Sequence, residues 1–274
     1  MQYRRVLTIQ DISCVGQCSM TVALPILSAC GQECCVLPTA VLSTHTGGFG
    51  KPEVIHMTQA ADRMWRHWEA QGIQFDAVLV GYLGSVEAIC MVENLLSRLV
   101  APGGLVIIDP AMADHGKLYA GFDESYVAAM KRLCGRADIL IPNLTEAALL
   151  TDSVYQSVIN EDYVNTLIDK IGVSNVILTG VGYEEGSTGV LVKNGQELTH
   201  YVHRKVGGNC HGTGDIFAAC FTGALMCGRK MMKSVEIAAE FTALAIENTV
   251  KSPAHWYGVK FETAIPDLIR MIAE

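Results

Sequence analysis

Leu105-Val106-Ile107-Ile108-Asp109-Pro110 decides the architecture of this 274-residue chain. Four apolar residues in a row leave no side for water, so a strand built from them is covered on both faces, as in a parallel sheet lying between helices. Runs of the same kind recur at Arg5–Ile9, Ala77–Val80, Asp138–Ile141 and Val176–Thr179, each followed by polar or glycine-containing residues. Between them, Thr21–Ala29, Thr58–Gln71, Glu87–Leu99, Asp123–Leu133 and Asp162–Ile171 carry apolar residues at helical spacing, and Gly31, Gly72, Gly135 and Gly172 supply stops. The regular alternation predicts an α/β fold, a three-layer αβα sandwich around a mostly parallel sheet.

After Thr179 the pattern changes. Thr188–Lys193 and Glu197–His203 flank Asn194-Gly195 and predict a small antiparallel addition, a hairpin turning at Asn-Gly. Helices are predicted at Thr213–Cys227, Lys233–Val250 and Thr263–Ile272. With no repeat and no Pro/Gly/Ser linker, residues 1–274 are read as one domain.

Half of the residues are hydrophobic, 18% are charged and the mean hydropathy is +0.28, which excludes a disordered chain or a coiled coil. The net charge of −8 argues against binding of nucleic acid or of an anionic membrane, so an anionic substrate must be held by local groups. The longest uncharged apolar stretch, Ile216 to Gly228, falls short of the roughly 20 residues of a membrane span and reads as a buried helix. Val6–Ile9 is too short for a signal peptide, so a cytoplasmic location is expected. Ten scattered cysteines without a CxxC pair read mostly as small buried apolar residues in a reducing compartment. Trp65-Arg66-His67-Trp68 reads as a helix surface packed on a neighbour rather than a stacking site for nucleic-acid bases.

The sharpest chemical feature is Gly207-Gly208-Asn209-Cys210-His211-Gly212-Thr213-Gly214-Asp215, leading straight into an apolar helix. Glycines let successive N–H groups turn inward, and the helix start adds its positive end, so the segment can hold a phosphate without Lys or Arg. Asp215 in the first turn is open to two readings, a helix cap or a general base beside the transferred phosphoryl group. Asp109 and Asn143, at the ends of two predicted strands, either cap those ends or share a site. The usual nucleotide motifs are missing: His45 stands where a Walker A needs glycine before Gly50-Lys51, and Gly212-Thr213-Gly214 lacks a third fingerprint glycine.

Taken in order, Thr8-Ile9-Gln10-Asp11, Ser43-Thr44-His45-Thr46-Gly47, Gly81-Tyr82-Leu83-Gly84-Ser85, Asp109-Pro110-Ala111-Met112, Pro142-Asn143-Leu144-Thr145-Glu146 and Gly212-Thr213-Gly214-Asp215 resemble the pyridoxal kinases of the ribokinase-like superfamily, over nearly the whole chain. The resemblance implies ATP-dependent phosphorylation of the 5′-hydroxymethyl group of pyridoxal, pyridoxine or pyridoxamine. It implies Asp215 as the base and the amides around Gly212, Thr213 and Gly214 as the phosphoryl hole. Asp109, Asn143 and Glu146 match residues that handle Mg²⁺ near the ATP phosphates. Asp114 and Tyr119 match a nucleotide-side flap to which Gly116 would give freedom, and Thr179, Gly180 and Thr213 match contacts to the ATP phosphates. Asp11, His45, Thr46 and Tyr82 fall at the vitamin pocket, Asp11 standing where common pyridoxal kinases carry serine. Mg²⁺ with ATP, a monovalent cation and a homodimer are further expectations from the resemblance. A hydroxymethylpyrimidine or sugar kinase of the same fold, and a vitamin B6-binding protein without catalysis, are the alternatives.

Overall fold

A computed structural model describes residues 3–184, 186–207, 210–252 and 254–274, with Arg204 described by its backbone alone. The sheet is built from β1 (Arg5–Ser13), β2 (Glu33–Leu42), β3 (Val54–His56), β4 (Phe75–Val80) and β5 (Val100–Ile108). A separate two-stranded ribbon, β6 (Ala113–Asp114) with β7 (Lys117–Leu118), precedes β8 (Ile139–Leu140), β9 (Asn175–Thr179), β10 (Ser187–Asn194) and β11 (Glu197–Arg204). The order across the sheet is β11-β10-β9-β8-β5-β4-β1-β2-β3. From β2 to β9 every neighbouring pair is parallel, while β3 and the β10–β11 hairpin run antiparallel at the two edges.

Side chains along these strands alternate between two cores, which explains why the runs are apolar throughout. Leu7, Ile9, Val78, Val80, Val106, Ile108, Leu140 and Leu178 face one layer of helices. That layer contains α2 (Thr58–Ala70), α3 (Val86–Leu99), α4 (Glu124–Cys134), α5 (Leu144–Leu150) and α6 (Glu161–Lys170). Val6, Ala77, Leu79, Ile107, Ile139 and Ile177 face the other, made of α1 (Met20–Ala29), α7 (Thr213–Met226), α8 (Met231–Val250) and α9 (Ile265–Ala273). The predicted three-layer sandwich is the observed one.

Four differences have local causes. β2 and β3 were not anticipated: β2 is interrupted by Pro38, its residues alternate poorly in burial, and β3 is a three-residue exposed edge. β5 begins at Val100, through Pro102-Gly103-Gly104, because Val100 pairs with Phe75 before a register shift. In the hairpin, Asn194 still pairs with Glu197, so the two-residue loop is Gly195-Gln196, with Gly195 at φ +62°. Only Cys30, Cys134 and Cys220 are buried; Cys14 and Cys90 are exposed and the other five are half-buried, which corrects the reading of most cysteines as core residues.

Trp65 is a core residue of α2, 2% exposed, and Arg66 lies over its ring at 4.5 Å, so this stretch packs within its own chain. Among the described residues no helix is long and apolar enough to cross a membrane.

Candidate active site

The sheet reverses direction of growth at β1, whose neighbours are β2 on one side and β4 on the other. Ligands of open α/β sheets bind outside the carboxyl ends of the strands at such a point. A cleft of about 770 Å³ opens there. Asp11 is on β1, His45 and Thr46 follow β2, Tyr82 follows β4, Asp109 follows β5, Asn143 and Glu146 follow β8, and Thr179 and Gly180 end β9. All of these, with Asp114, Tyr119, Gly212, Thr213, Gly214 and Asp215, line this one cleft.

Its floor is the corner entering α7. Gly212 sits at the N-cap with φ +86°, and a Cβ there would stand 2.3 Å from the Gln17 carbonyl oxygen, so glycine is required by both conformation and space. Among the described residues no side chain caps α7, which leaves the N–H groups of its first turn available to an anion in the cleft. Gly208 and Asn209 of the same segment lie outside the described residues. Asp215 does not cap this helix with its side chain. Its carboxylate accepts the backbone N–H of Ser19, and burial, reinforced by nearby Asp11, pushes its pKa up to about 7.

Ser19 joins two carboxylates: its N–H serves Asp215 and its hydroxyl bonds Asp11. It does so at φ +53°, a conformation unfavourable for a residue with a side chain and typical of functional positions. Ser13 Oγ also donates to Asp11 Oδ2 at 3.1 Å. Beside them, Cys18 lines the cleft, its thiol held neutral by burial and then by Asp215 and Asp11. Ser19 and Cys18 were missed by sequence reasoning. The one signal for Ser19 is a serine placed just before the apolar start of a helix.

Asp109 and Glu146 form a second acidic pair. Both carboxyls are raised by burial, Asp109 further by Asp215 and Glu146 further by Asp109. Glu146 Oε2 accepts Asn143 N–H at 2.9 Å, and Asn143 Oδ1 accepts the N–H groups of Thr145 and Glu146, closing a capping box on α5. Asn143 Nδ2 donates to the Ala113 carbonyl, so both ends of this amide are engaged in positioning backbone. Among the described residues no three His, Cys, Asp or Glu side chains are gathered as a metal cage.

The ribbon β6–β7 overhangs the cleft with Asp114 and Tyr119. Gly116 at its tip donates to Thr145 Oγ1 at 3.0 Å and packs where a Cβ would meet the Tyr155 ring at 2.6 Å. Glycine there permits close seating on α5, rather than the freedom expected of a loose flap. On the opposite side, His45 is 4% exposed and its Nδ1 accepts Gly47 N–H at 2.9 Å. Burial and the neighbouring His211 ring hold its pKa down, so the proton is on Nε2, which has no partner among the described residues. Tyr82 is stacked against Phe122 at 5.4 Å. An apolar slot of Val190, Val206, Phe217, Ala239, Ala243 and Ile246 extends the cleft toward α8 and was not anticipated, since packing alone joins these residues.

Fold and cleft together define a ribokinase-like kinase scaffold. The chain belongs to the phosphomethylpyrimidine kinase family, whose profile matches residues 24–259. It is similar to the pyridoxine/pyridoxal/pyridoxamine kinase of Bordetella avium, 29% identical over 266 residues, covering 89% of this chain and 85% of that one. A hydroxymethylpyrimidine/phosphomethylpyrimidine kinase of Haemophilus influenzae is 29% identical over 182 residues, 64% of this chain and 66%, just under two thirds, of its own. The crystal structure of pyridoxal kinase from Lactobacillus plantarum matches with a TM-score of 0.90 and 31% identity over 98% of both chains.

Proposed function

We propose that this chain transfers the γ-phosphoryl group of ATP to the 5′-hydroxymethyl group of a vitamin B6 vitamer. The observation that carries the reading is the pairing of Asp215 with the uncapped N-terminus of α7 on the floor of the cleft. A hydroxymethyl group beside Asp215 gives up its proton to the carboxylate while its oxygen attacks the γ-phosphorus of ATP, whose bond to the β-phosphate oxygen breaks as ADP leaves. The N–H groups of Gly212, Thr213 and Gly214 face the charge of the moving phosphoryl group. A carboxyl poised at about 7 has a proton affinity suited to this exchange near neutral pH.

The substrate ring lies among Tyr82, Thr46 and His45, and His45 Nε2–H donates to an oxygen on it. Thr179 and Gly180 meet the ATP phosphates, Asp114 and Tyr119 cover the nucleotide, and the apolar slot beside α8 takes a flat base. Asp109 and Glu146 are buried carboxyls with no cation beside them among the described residues, a donor set that fits a hard divalent ion keeping much of its water. They would hold Mg²⁺, with Asn143 fixing Glu146, and the ion would supply neutralisation of phosphate charge. A monovalent cation and a cytoplasmic homodimer complete the proposal on resemblance alone.

The Haemophilus relative favours hydroxymethylpyrimidine as a second substrate, since that ring presents the same primary alcohol to the same base. ADP release from Mg²⁺-ATP, measured with pyridoxal, pyridoxine, pyridoxamine, hydroxymethylpyrimidine and ribose, tests the proposal. Turnover is expected with at least one B6 vitamer. Binding of vitamers without ADP release would make the protein a sensor, and release with ribose alone would make it a sugar kinase.

A further inference from the structure

Asp11 is 3% exposed, lines the cleft, and makes no ion pair among the described residues. Its partners are two neutral hydroxyls, Ser13 and Ser19, and its own backbone N–H, and those bonds do not offset burial, which still raises its pKa. The groups that face it are also of the wrong sign or uncharged. Asp215 adds repulsion, Tyr82 and Cys18 are kept protonated in part by Asp11 itself, and His45 is neutral. An ionised carboxylate in such a place is costly unless something supplies positive charge. Among the described residues none does, and Asp11 lines the same cleft as Thr46, Tyr82 and His45.

We propose that Asp11 is the counter-charge for a positively charged nitrogen of the substrate, so that the cleft selects B6 vitamers in cationic form. The inference rests on the vitamin B6 reading and adds the charge class of the preferred ligand. Two nitrogens carry that chemistry, the protonated pyridine nitrogen common to all three vitamers and the aminomethyl group found in pyridoxamine.

Isothermal titration of the wild-type chain, Asp11→Asn and Asp11→Ser with pyridoxamine and with pyridoxine, near neutral pH, distinguishes them. Loss of a charge-assisted hydrogen bond weakens binding by roughly 10- to 100-fold. Equal weakening for both ligands assigns Asp11 to the ring nitrogen; weakening for pyridoxamine alone assigns it to the amine. Either result supports the proposal, provided the ligand-free variants melt at or above the wild-type temperature, as removal of an unpaired buried carboxylate requires. Wild-type affinity for both ligands in both variants overturns it, and so does a melting temperature several degrees lower in both, which marks Asp11 as structural. If the wild-type chain phosphorylates vitamers while the variants bind them normally, only this inference falls. If it binds no vitamer at all, the proposed function falls with it.

Discussion

Substituting Asp215→Asn removes the proposed proton acceptor while keeping the shape of the side chain, and two consequences of opposite sign follow. General-base assistance contributes on the order of 10²–10⁴ in rate, so kcat falls by about that factor while the affinity for ATP holds. Stability moves the other way. Asp215 has its pKa raised from 3.8 to about 7 in the folded chain. At about 1.4 kcal/mol per tenfold change in proton affinity, the ionised folded form is destabilised by on the order of 4 kcal/mol at most, and by less where water in the cleft screens the half-buried carboxylate. Because the folded state holds this proton more tightly than the unfolded state, the contribution of Asp215 to stability falls as pH rises from about 4 to about 7 and is flat above. Asparagine has no such dependence. Thermal melts of ligand-free protein at several pH values read the difference. Near pH 8 the variant is expected to melt higher than the wild type by roughly 5 °C, and near pH 4 the two converge. A variant that keeps most of its turnover, or that melts lower than wild type at pH 8, refutes the reasoning.

Gly212→Ala places a methyl group 2.3 Å from the Gln17 carbonyl oxygen and forces alanine to φ +86°, so a melting-temperature drop worth about 2 kcal/mol or more is expected together with loss of turnover. Asn143→Ala opens the capping box on α5 and should cost about 1 kcal/mol in chemical denaturation, with a rise in the Mg²⁺ concentration for half-maximal activity as Glu146 loses its anchor. Glu146→Gln should raise that Mg²⁺ requirement by tenfold or more in a metal titration while leaving binding of the vitamer unchanged.

The parts of the fold legible in the sequence are those with two covered faces. Leu105–Ile108 and Val176–Thr179 are apolar at nearly every position because neighbouring residues face different helix layers. β2 was illegible for the converse reason: it lies next to the short edge strand β3, with Pro38 and half-exposed Cys34 and Cys35 breaking any period. The site was legible where a polar residue ends an apolar run, as at Asp109, Asn143 and Thr179, and where glycine precedes a helix, as at Gly212. The resemblance to kinases added the grouping of those strand ends, which spacing alone leaves open. A serine before a helix marks Ser19 as a possible cap and no more, because its importance lies in a backbone angle and in two partners at positions 11 and 215. The slot beside α8 was invisible because Val190, Phe217 and Ala243 meet only through packing of α7 and α8 onto the sheet.

Phosphorus NMR of the product formed from Mg²⁺-ATP and each vitamer tests the central claim most directly. A new phosphate monoester on the 5′-hydroxymethyl oxygen, appearing together with ADP and lost in Asp215→Asn, is the predicted result. Consumption of ATP to inorganic phosphate with no ester formed on any vitamer would contradict it.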